Sequence, residues 1–298
     1  MNHRGWSLLI DLHTHTDESD GSHTPAELVR EAVEAGVEAL AITDHDTLAG
    51  YTAAVPLARE AGLELICGIE LSTKLRGRSV HLLGYFLDGE PAPEFQAWLH
   101  EMQASRRDRN RRLAARLRDM GMDIRLEEVE ARGRGMTGRP HFAQVMLEKG
   151  YVSNFRQAFD DYLDESARAY VPRLEPQFDQ GIARIRAGGG LAVLPHPVRV
   201  APGRRIEELL GGMCDAGLRG IEAYHPDHAP EDTEYYLHLA RKYGLAVTGG
   251  SDFHGGLKPG LRIGTGYDGA LRVPREVLDA LREAGRRLTP QPLGGLPQ

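Results

Sequence analysis

Asp11-Leu12-His13-Thr14-His15 is the stretch on which the fold turns. It runs on from the apolar Leu8-Leu9-Ile10, so residues 8–12 read as a strand. Alternate side chains of an extended chain share a face, so His13 and His15 point the same way from the strand end. Such a pair suits a cation, and it also arises by chance. What decides is whether other strands end in the same kind of residue.

They do. Thr24-Pro25-Ala26-Glu27 has the form of a capping box with Pro at the first helical position, and Gly36 closes that helix. The short apolar stretch 38–43 is a second strand, closed by Thr43-Asp44-His45-Asp46. A helix at 47–61, ended by Gly62, leads to a third strand at 63–69, closed by Glu70. A fourth strand spans 79–86 and opens near His81. The link 71–78 is too short for a parallel crossover, so strands three and four are expected to be antiparallel, with His81 near Glu70. Strands five to seven lie at 190–194, 219–223 and 245–248, with helices near 206–216 and 230–243. His196 closes the fifth, and Gly249-Gly250-Ser251-Asp252-Phe253-His254-Gly255 closes the seventh.

Seven strands alternating with helices predict an α/β fold, a small distorted (β/α)7 barrel. Pro91 and Pro93 mark a break, after which 93–169 shows helices near 95–120 and 140–149 and no convincing strand. The expected organisation is a barrel from 1–92 and 170–289, a helical insertion at 93–169 covering the active site, and a loose Pro- and Gly-rich tail at 290–298.

Composition narrows the class. The 298 residues carry a formal charge of −7, 41% hydrophobic and 27% charged residues, 13 His and 2 Cys. No apolar run approaches the roughly 18 residues of a membrane helix, and no signal segment is evident. Cys67 and Cys214 cannot form a disulfide framework, so a cytoplasmic protein is expected. No obligate protein partner is evident.

Six histidines (His13, His15, His45, His81, His196, His254) and three carboxylates (Asp20, Glu70, Asp252) thus gather at one end of the barrel. Singly each reads as a capped turn or a satisfied core residue. Together they fall where barrel enzymes keep their chemistry. A catalytic ion takes three or four protein ligands, so nine suit two or three ions. A nitrogen–oxygen set without thiolate favours Mn, Zn or Fe. Such ions suit hydrolysis of a phosphate ester, because they activate water and offset phosphoryl charge.

These motifs jointly resemble the polymerase and histidinol phosphatase (PHP) family. The likeness covers 11–21, 43–46, Gly68-Ile69-Glu70, His81, His196-Pro197 and Ser251-Asp252-Phe253-His254. It implies three metal sites: His13, His15, Glu70 and Asp252; a bridging Glu70 with His81 and His196; and Asp20, His45 and His254. Gly138-Arg139-Pro140-His141-Phe142, Tyr170-Val171-Pro172-Arg173 and Ile221-Glu222-Ala223-Tyr224-His225-Pro226 extend it toward 3′,5′-nucleoside bisphosphate phosphatases and related 5′→3′ exoribonucleases. The implied activity is conversion of a 3′,5′-nucleoside bisphosphate to nucleoside 5′-monophosphate and phosphate, with 5′→3′ degradation of short phosphorylated RNA or DNA oligonucleotides. Alternatives are a histidinol-phosphate-type phosphatase and a non-catalytic metal-binding regulatory domain.

His228 and His141 are candidate proton donors to the leaving group, with His225 an alternative, because imidazole lies near the right pKa. Arg139 and Arg199, joined by His141, His225 and His228, are candidates for binding substrate, since a guanidinium fork matches phosphate. The family often has Gly after His-Pro, whereas Val198 stands here before Arg199. The run Arg106, Arg107, Arg109, Arg111, Arg112, Arg116, Arg118 reads as the solvated face of an amphipathic helix, or else as a track for nucleic-acid phosphates.

Overall fold

The structure, a computed structural model, describes residues 9–133, 135–201 and 203–287; the tail expected at 290–298 lies outside them. Seven strands form one sheet in chain order: β1 Leu9–Thr14, β2 Val37–Ile42, β3 Glu64–Leu75, β4 Arg78–Phe86, β5 Leu191–Leu194, β6 Gly220–Tyr224 and β7 Ala246–Gly249. β1, β2 and β3 pair in parallel, as do β5, β6 and β7. β4 runs antiparallel to both β3 and β5, as the short link demands. Past the end of β7, Asp252 N–H donates to His13 O at 2.8 Å and His15 N–H to Phe253 O at 2.9 Å. These bonds tie the first strand to the segment beyond the last, at the residues of interest.

β3 and β4 are longer than the sequence suggested. Glu70 lies inside β3 rather than at its end, and His81 is the fourth residue of β4. The alternating Leu71-Ser72-Thr73-Lys74-Leu75 keeps pairing with β4 after β2 has stopped at Ile42. Glu70 therefore looks out over the end of β2. The hairpin turns on Arg76 and Gly77, both at positive φ (51° and 81°), a two-residue turn that matches strand twist.

The helices follow from local signals. In α1 (Pro25–Glu34), Glu27 N–H donates to Thr24 Oγ1 and Thr24 N–H to Glu27 Oε2, the expected box. α2 (Ala49–Ala61) starts two residues later than expected. Thr47 stays outside the helix, its Oγ1 accepting from Ala49 N–H. Next come α3 (Pro93–Asp119), α4 (Leu126–Glu130), α5 (Arg139–Glu148) and α6 (Phe155–Ala158), the last running into a π-turn at Phe159–Leu163. Then follow α7 (Phe178–Ala187), α8 (Pro197–Val200), α9 (Glu207–Asp215), α10 (Pro230–Tyr243) and α11 (Glu276–Arg286). α11 and a small hairpin, β8 (Leu261–Arg262) with β9 (Gly266–Tyr267), had no clear signal in the sequence.

Packing changes partway along α3. Phe95, Trp98, Leu99 and Met102 join a core with Ile182 and Ile185 of α7. From Leu113 onward the helix belongs to a second core with Phe142, Met146 and Leu163. Between the two cores, Arg106, Arg109 and Asn110 are buried. The arginine run is therefore not one solvated face. Burying these groups demands partners, and their partners lie in the site.

Candidate active site

All nine predicted ligand residues converge. Glu70 is the hub: His81 Nδ1 and His196 Nε2 approach its Oε1 at 2.9 and 3.0 Å. His13 and His15 Nε2 each lie 3.2 Å from its Oε2, and His45 Nδ1 lies 3.5 Å from it. Asp252 Oδ1 is 3.6 Å from His13 Nε2 and 3.3 Å from His15 Nε2. Asp20 faces His254, His45 and His15 at 3.3, 3.6 and 3.8 Å.

Three groups have ligand atoms mutually within 4.8 Å: His13, His15, Glu70 and Asp252; His15, Asp20, His45 and His254; and His45, Glu70 and His81. The first matches the grouping the sequence implied. In the others His15 joins Asp20, and His45 joins Glu70 and His81, while His196 reaches Glu70 alone. The donor set fits divalent ions on a further ground. His15 Nδ1 and Nε2, His45 Nδ1 and His196 Nδ1 are buried without hydrogen-bond partners, which is costly unless a ligand satisfies them.

The electrostatics agree. Burial pushes His45 down to about 3 and His196 down to about 4, so both are neutral and able to ligate. Burial works against His15 as well, but Asp252 and Glu70 outweigh it and lift the imidazole to about 9. Burial opposes the charge of Glu70, yet His81, His45 and His13 hold it well below the usual carboxylate range.

A surrounding layer aims these side chains. Glu222 of β6 was quoted in a motif but given no role; its Oε1 lies 2.9 Å from His13 Nδ1, and its Oε2 accepts from His196 N–H at 2.7 Å. Carboxylates behind ligating histidines set ring orientation and tautomer. Its signal in the sequence was a charge inside a buried strand. Asp11 accepts from Ser251 N–H, Ser251 Oγ and Gly264 N–H, fastening β1 to the loop after β7. Asp44 accepts from Thr16 N–H, Thr16 Oγ1 and Ser19 Oγ, shaping the loop that carries Asp20. A Cβ at Gly250 would sit 2.3 Å from His13 N, so only glycine fits there. Asp46, His196 and Asp252 hold positive φ (54°, 28° and 52°), a strain that collects at functional loops.

Beside the cluster lies a cavity of about 200 Å³ that Asp20, His45 and His81 share with Arg106, Arg109, Arg139 and Arg173. Asp46 pairs with Arg106 and Arg173, and its Oδ1 accepts from Ser72 N–H at 2.8 Å. Arg173 also meets Glu175 at 2.9 Å. Arg139 donates to Leu163 O. Arg109 differs from the rest. It is 4% exposed, and its Nε donates to Asn110 Oδ1 at 2.9 Å. Burial first, and then the charges of Arg106 and Arg173, destabilise its cation. Arg106 and Arg109 belong to the basic run, and the structure turns these two toward the site. Arg107 instead pairs with Glu130.

Arg199 reaches the cluster, bonding Asp252 Oδ2 at 3.0 Å and Asp227 at 2.6 Å. The three remaining histidines differ in tautomer. His141 Nδ1 accepts from Gly138 N–H, and His225 Nδ1 from Asp227 N–H, so each carries its proton on Nε2. His225 Nε2 lies 3.5 Å from Asp252. His228 Nδ1 donates to Ala223 O, which leaves its Nε2 bare, and burial lowers its pKa. With Nδ1–H held by that carbonyl, Nε2 is the atom that can take up and give a proton. The ring stands between Tyr236 and His225, with centroids 4.8 and 5.3 Å away.

Comparison with known proteins accords with this geometry. A model of the PHP domain matches residues 11–170. The chain belongs to the PHP family. This PHP chain is 34% identical over 245 residues to a 5′-3′ exoribonuclease of Haemophilus influenzae, covering 82% of the chain and 89% of that protein. It is 32% identical over 261 residues to a 3′,5′-nucleoside bisphosphate phosphatase of Chromobacterium violaceum, covering 86% and 90%. A solved metal-dependent phosphoesterase of Bifidobacterium adolescentis superposes with a TM-score of 0.80 at 31% identity, covering 94% of this chain and 97% of that one. The protein is therefore a PHP-type metal-dependent phosphoesterase with an α/β fold around a seven-stranded sheet. Among the described residues no helix is long and apolar enough to cross a membrane.

Proposed function

We propose that the protein removes the 3′-phosphate of a 3′,5′-nucleoside bisphosphate, leaving a nucleoside 5′-monophosphate. The observation that carries this reading is the arginine cavity beside the ligand cluster. Arg106, Arg109, Arg139 and Arg173 face Asp46, Glu175 and the cluster's own Asp20 as lining or paired carboxylates, with the exposed Asp164 3.9 Å from Arg139; with Asp20 committed to the cluster, one guanidinium is in excess among the described residues. A second anion, held while a first phosphate reacts at the cluster, balances that excess.

His13, His15, Asp20, His45, Glu70, His81, His196, Asp252 and His254 would hold two or three divalent ions, and a set of imidazoles and carboxylates favours Mn, Zn or Fe. When bound, such ions supply Lewis acidity toward the phosphoryl oxygens and a water nucleophile near neutral pH. Glu222 keeps His13 aimed, and the helical segment 93–169 covers the site through Arg106, Arg109 and Arg139. Of the candidate acids we favour His141: burial lowers its pKa, but the charge of Asp20 works the other way and supports the imidazolium. As imidazolium it gives a proton to the leaving O3′. His225 and Arg199 hold the Asp252 side of the site.

Phosphate release with added Mn, beside metal analysis, tests the reading. Adenosine 3′,5′-bisphosphate is expected to outpace adenosine 3′-monophosphate, with the 5′-monophosphate as product. Equal rates for the two, or preference for histidinol phosphate, would remove the role of the cavity.

A further inference from the structure

Asp252 divides its two oxygens between different neighbours. Oδ1 faces the imidazoles of His13, His15 and His254 at 3.6, 3.3 and 3.5 Å. Oδ2 faces two cations: Lys258 Nζ donates to it at 2.8 Å and Arg199 Nη1 at 3.0 Å. Lys258 Nζ makes a second bond, to Asp252 O at 3.0 Å. One ammonium thus clasps the side chain and the backbone of the same residue. Arg199 differs, because it is shared with Asp227 at 2.6 Å. A 3-10 turn at Gly255–Leu257 brings the lysine back over Asp252. Gly256 N–H donates to Ser22 Oγ at 2.8 Å, and a Cβ at Gly255 would collide with Ser22 Oγ and His23 Nδ1. The turn is therefore fixed against the loop that follows β1. Asp252 holds a φ of 52°, which a non-glycine residue keeps only where its surroundings over-determine it. Its N–H is bound to His13 O, and Lys258 fixes its carbonyl and its carboxylate.

We propose that Lys258 is a positioning residue for one divalent ion: it holds Asp252 so that Oδ1 faces the group formed with His13, His15 and Glu70. The inference rests on the assignment of that group to an ion, made above. Metal-ligating carboxylates depend on the partners behind them, and losing such a partner typically costs about 10–100-fold in affinity. Charge alone argues the reverse. An ammonium close to an ion repels it, so deleting the lysine would tighten binding if repulsion were the whole effect. Aim and repulsion therefore predict opposite signs. Asp252 belongs to one of the three ligand groups, so the effect falls on one ion.

The test compares the wild type with Lys258→Met and Lys258→Arg. Metal-free protein is titrated with Mn by calorimetry, bound Mn is counted after dialysis, and melting is followed without metal. The Met variant is expected to bind Mn at one site at least ~10-fold more weakly and to retain about one ion fewer per chain. The Arg variant keeps a charged donor within reach and should recover most of that loss. Metal-free melting should match the wild type, because the lysine side chain is 29% exposed and lies outside the apolar cores. Should the Met variant not fold, Lys258→Gln takes its place with the same expectations. Binding by the variant that equals or exceeds the wild type overturns the proposal, since charge then outweighs aim. Equal weakening at every site, or equal loss in the Met and Arg variants, overturns it as well. A wild type that binds no Mn overturns the ion assignment itself.

Discussion

The ligand cluster and the arginine cavity both bury charge, and they do so in opposite ways. In the cluster each carboxylate meets imidazoles: five of them surround Glu70, and three face Asp20. The cluster is also framed from behind by Glu222, Asp11 and Asp44. In the cavity four guanidiniums meet Asp46, Glu175 and, at 3.9 Å, Asp164, and among the described residues Arg109 has no ion pair. A buried cation without a counter-charge is unfavourable, and an anionic ligand relieves it. The difference teaches that the cluster, rich in imidazoles and carboxylates, suits cations, whereas the cavity, rich in guanidiniums, suits an anion.

The comparison breaks most visibly at its hub. Glu70→Gln keeps the shape and removes the shared charge. Activity is expected to drop at least ~10³-fold, about 4 kcal/mol of transition-state stabilisation, together with loss of bound metal by elemental analysis. Retained metal with full activity would mean the cluster is not the reaction centre.

The next largest effect separates the acid from the cluster it adjoins. His141→Asn should lower kcat on adenosine 3′,5′-bisphosphate by ~10²-fold with little change in KM. With p-nitrophenyl phosphate, whose leaving group needs no proton, the loss should nearly vanish. A similar loss on both esters points away from proton donation.

The cavity side is sharpened by Arg109→Met. KM for the bisphosphate should rise by about 10–100-fold, the worth of a lost charge-assisted contact, while hydrolysis of adenosine 3′-monophosphate is spared. If both substrates suffer alike, the cavity does not read a second phosphate.

The smallest effect is a proton count. His15 in the metal-free protein titrates at about 9, so near neutral pH it holds a proton that a metal must displace. Metal binding should therefore release protons and tighten as pH rises toward about 9, then level off. Calorimetry in buffers of different ionisation enthalpy measures this. Binding without proton release would contradict the lifted pKa.

Much of the fold was legible because its signals are local. The capping box at Thr24 and the Gly62 cap lie within a turn of the helices they define. The antiparallel turn of β3 into β4 followed from the length of one link. What escaped was non-local. The extension of β3 to Leu75 depends on continued pairing with β4 after β2 stops, which no single strand declares. The start of α2 at Ala49 was decided by one hydroxyl. In the site, all nine ligand candidates stood out because imidazoles and carboxylates at strand ends are costly without a purpose. Glu222 did not, because a single acid inside a strand does not say which histidine it faces.

By itself, then, the sequence determined the strand–helix rhythm and the identity of the clustered residues. Both are written in spacings of two to four residues, the range over which strand alternation and helix capping act. Only the tertiary structure decided that Glu70 is the shared centre, that Arg106 and Arg109 turn inward, and that His228 Nδ1 meets Ala223 O. A helix run such as Arg106 to Arg118 shows every side chain as equally cationic. Which of them lose water, and which find a partner, depends on surfaces brought together from far along the chain: Asp46 for Arg106, Glu130 for Arg107, and among the described residues no ion pair for Arg109.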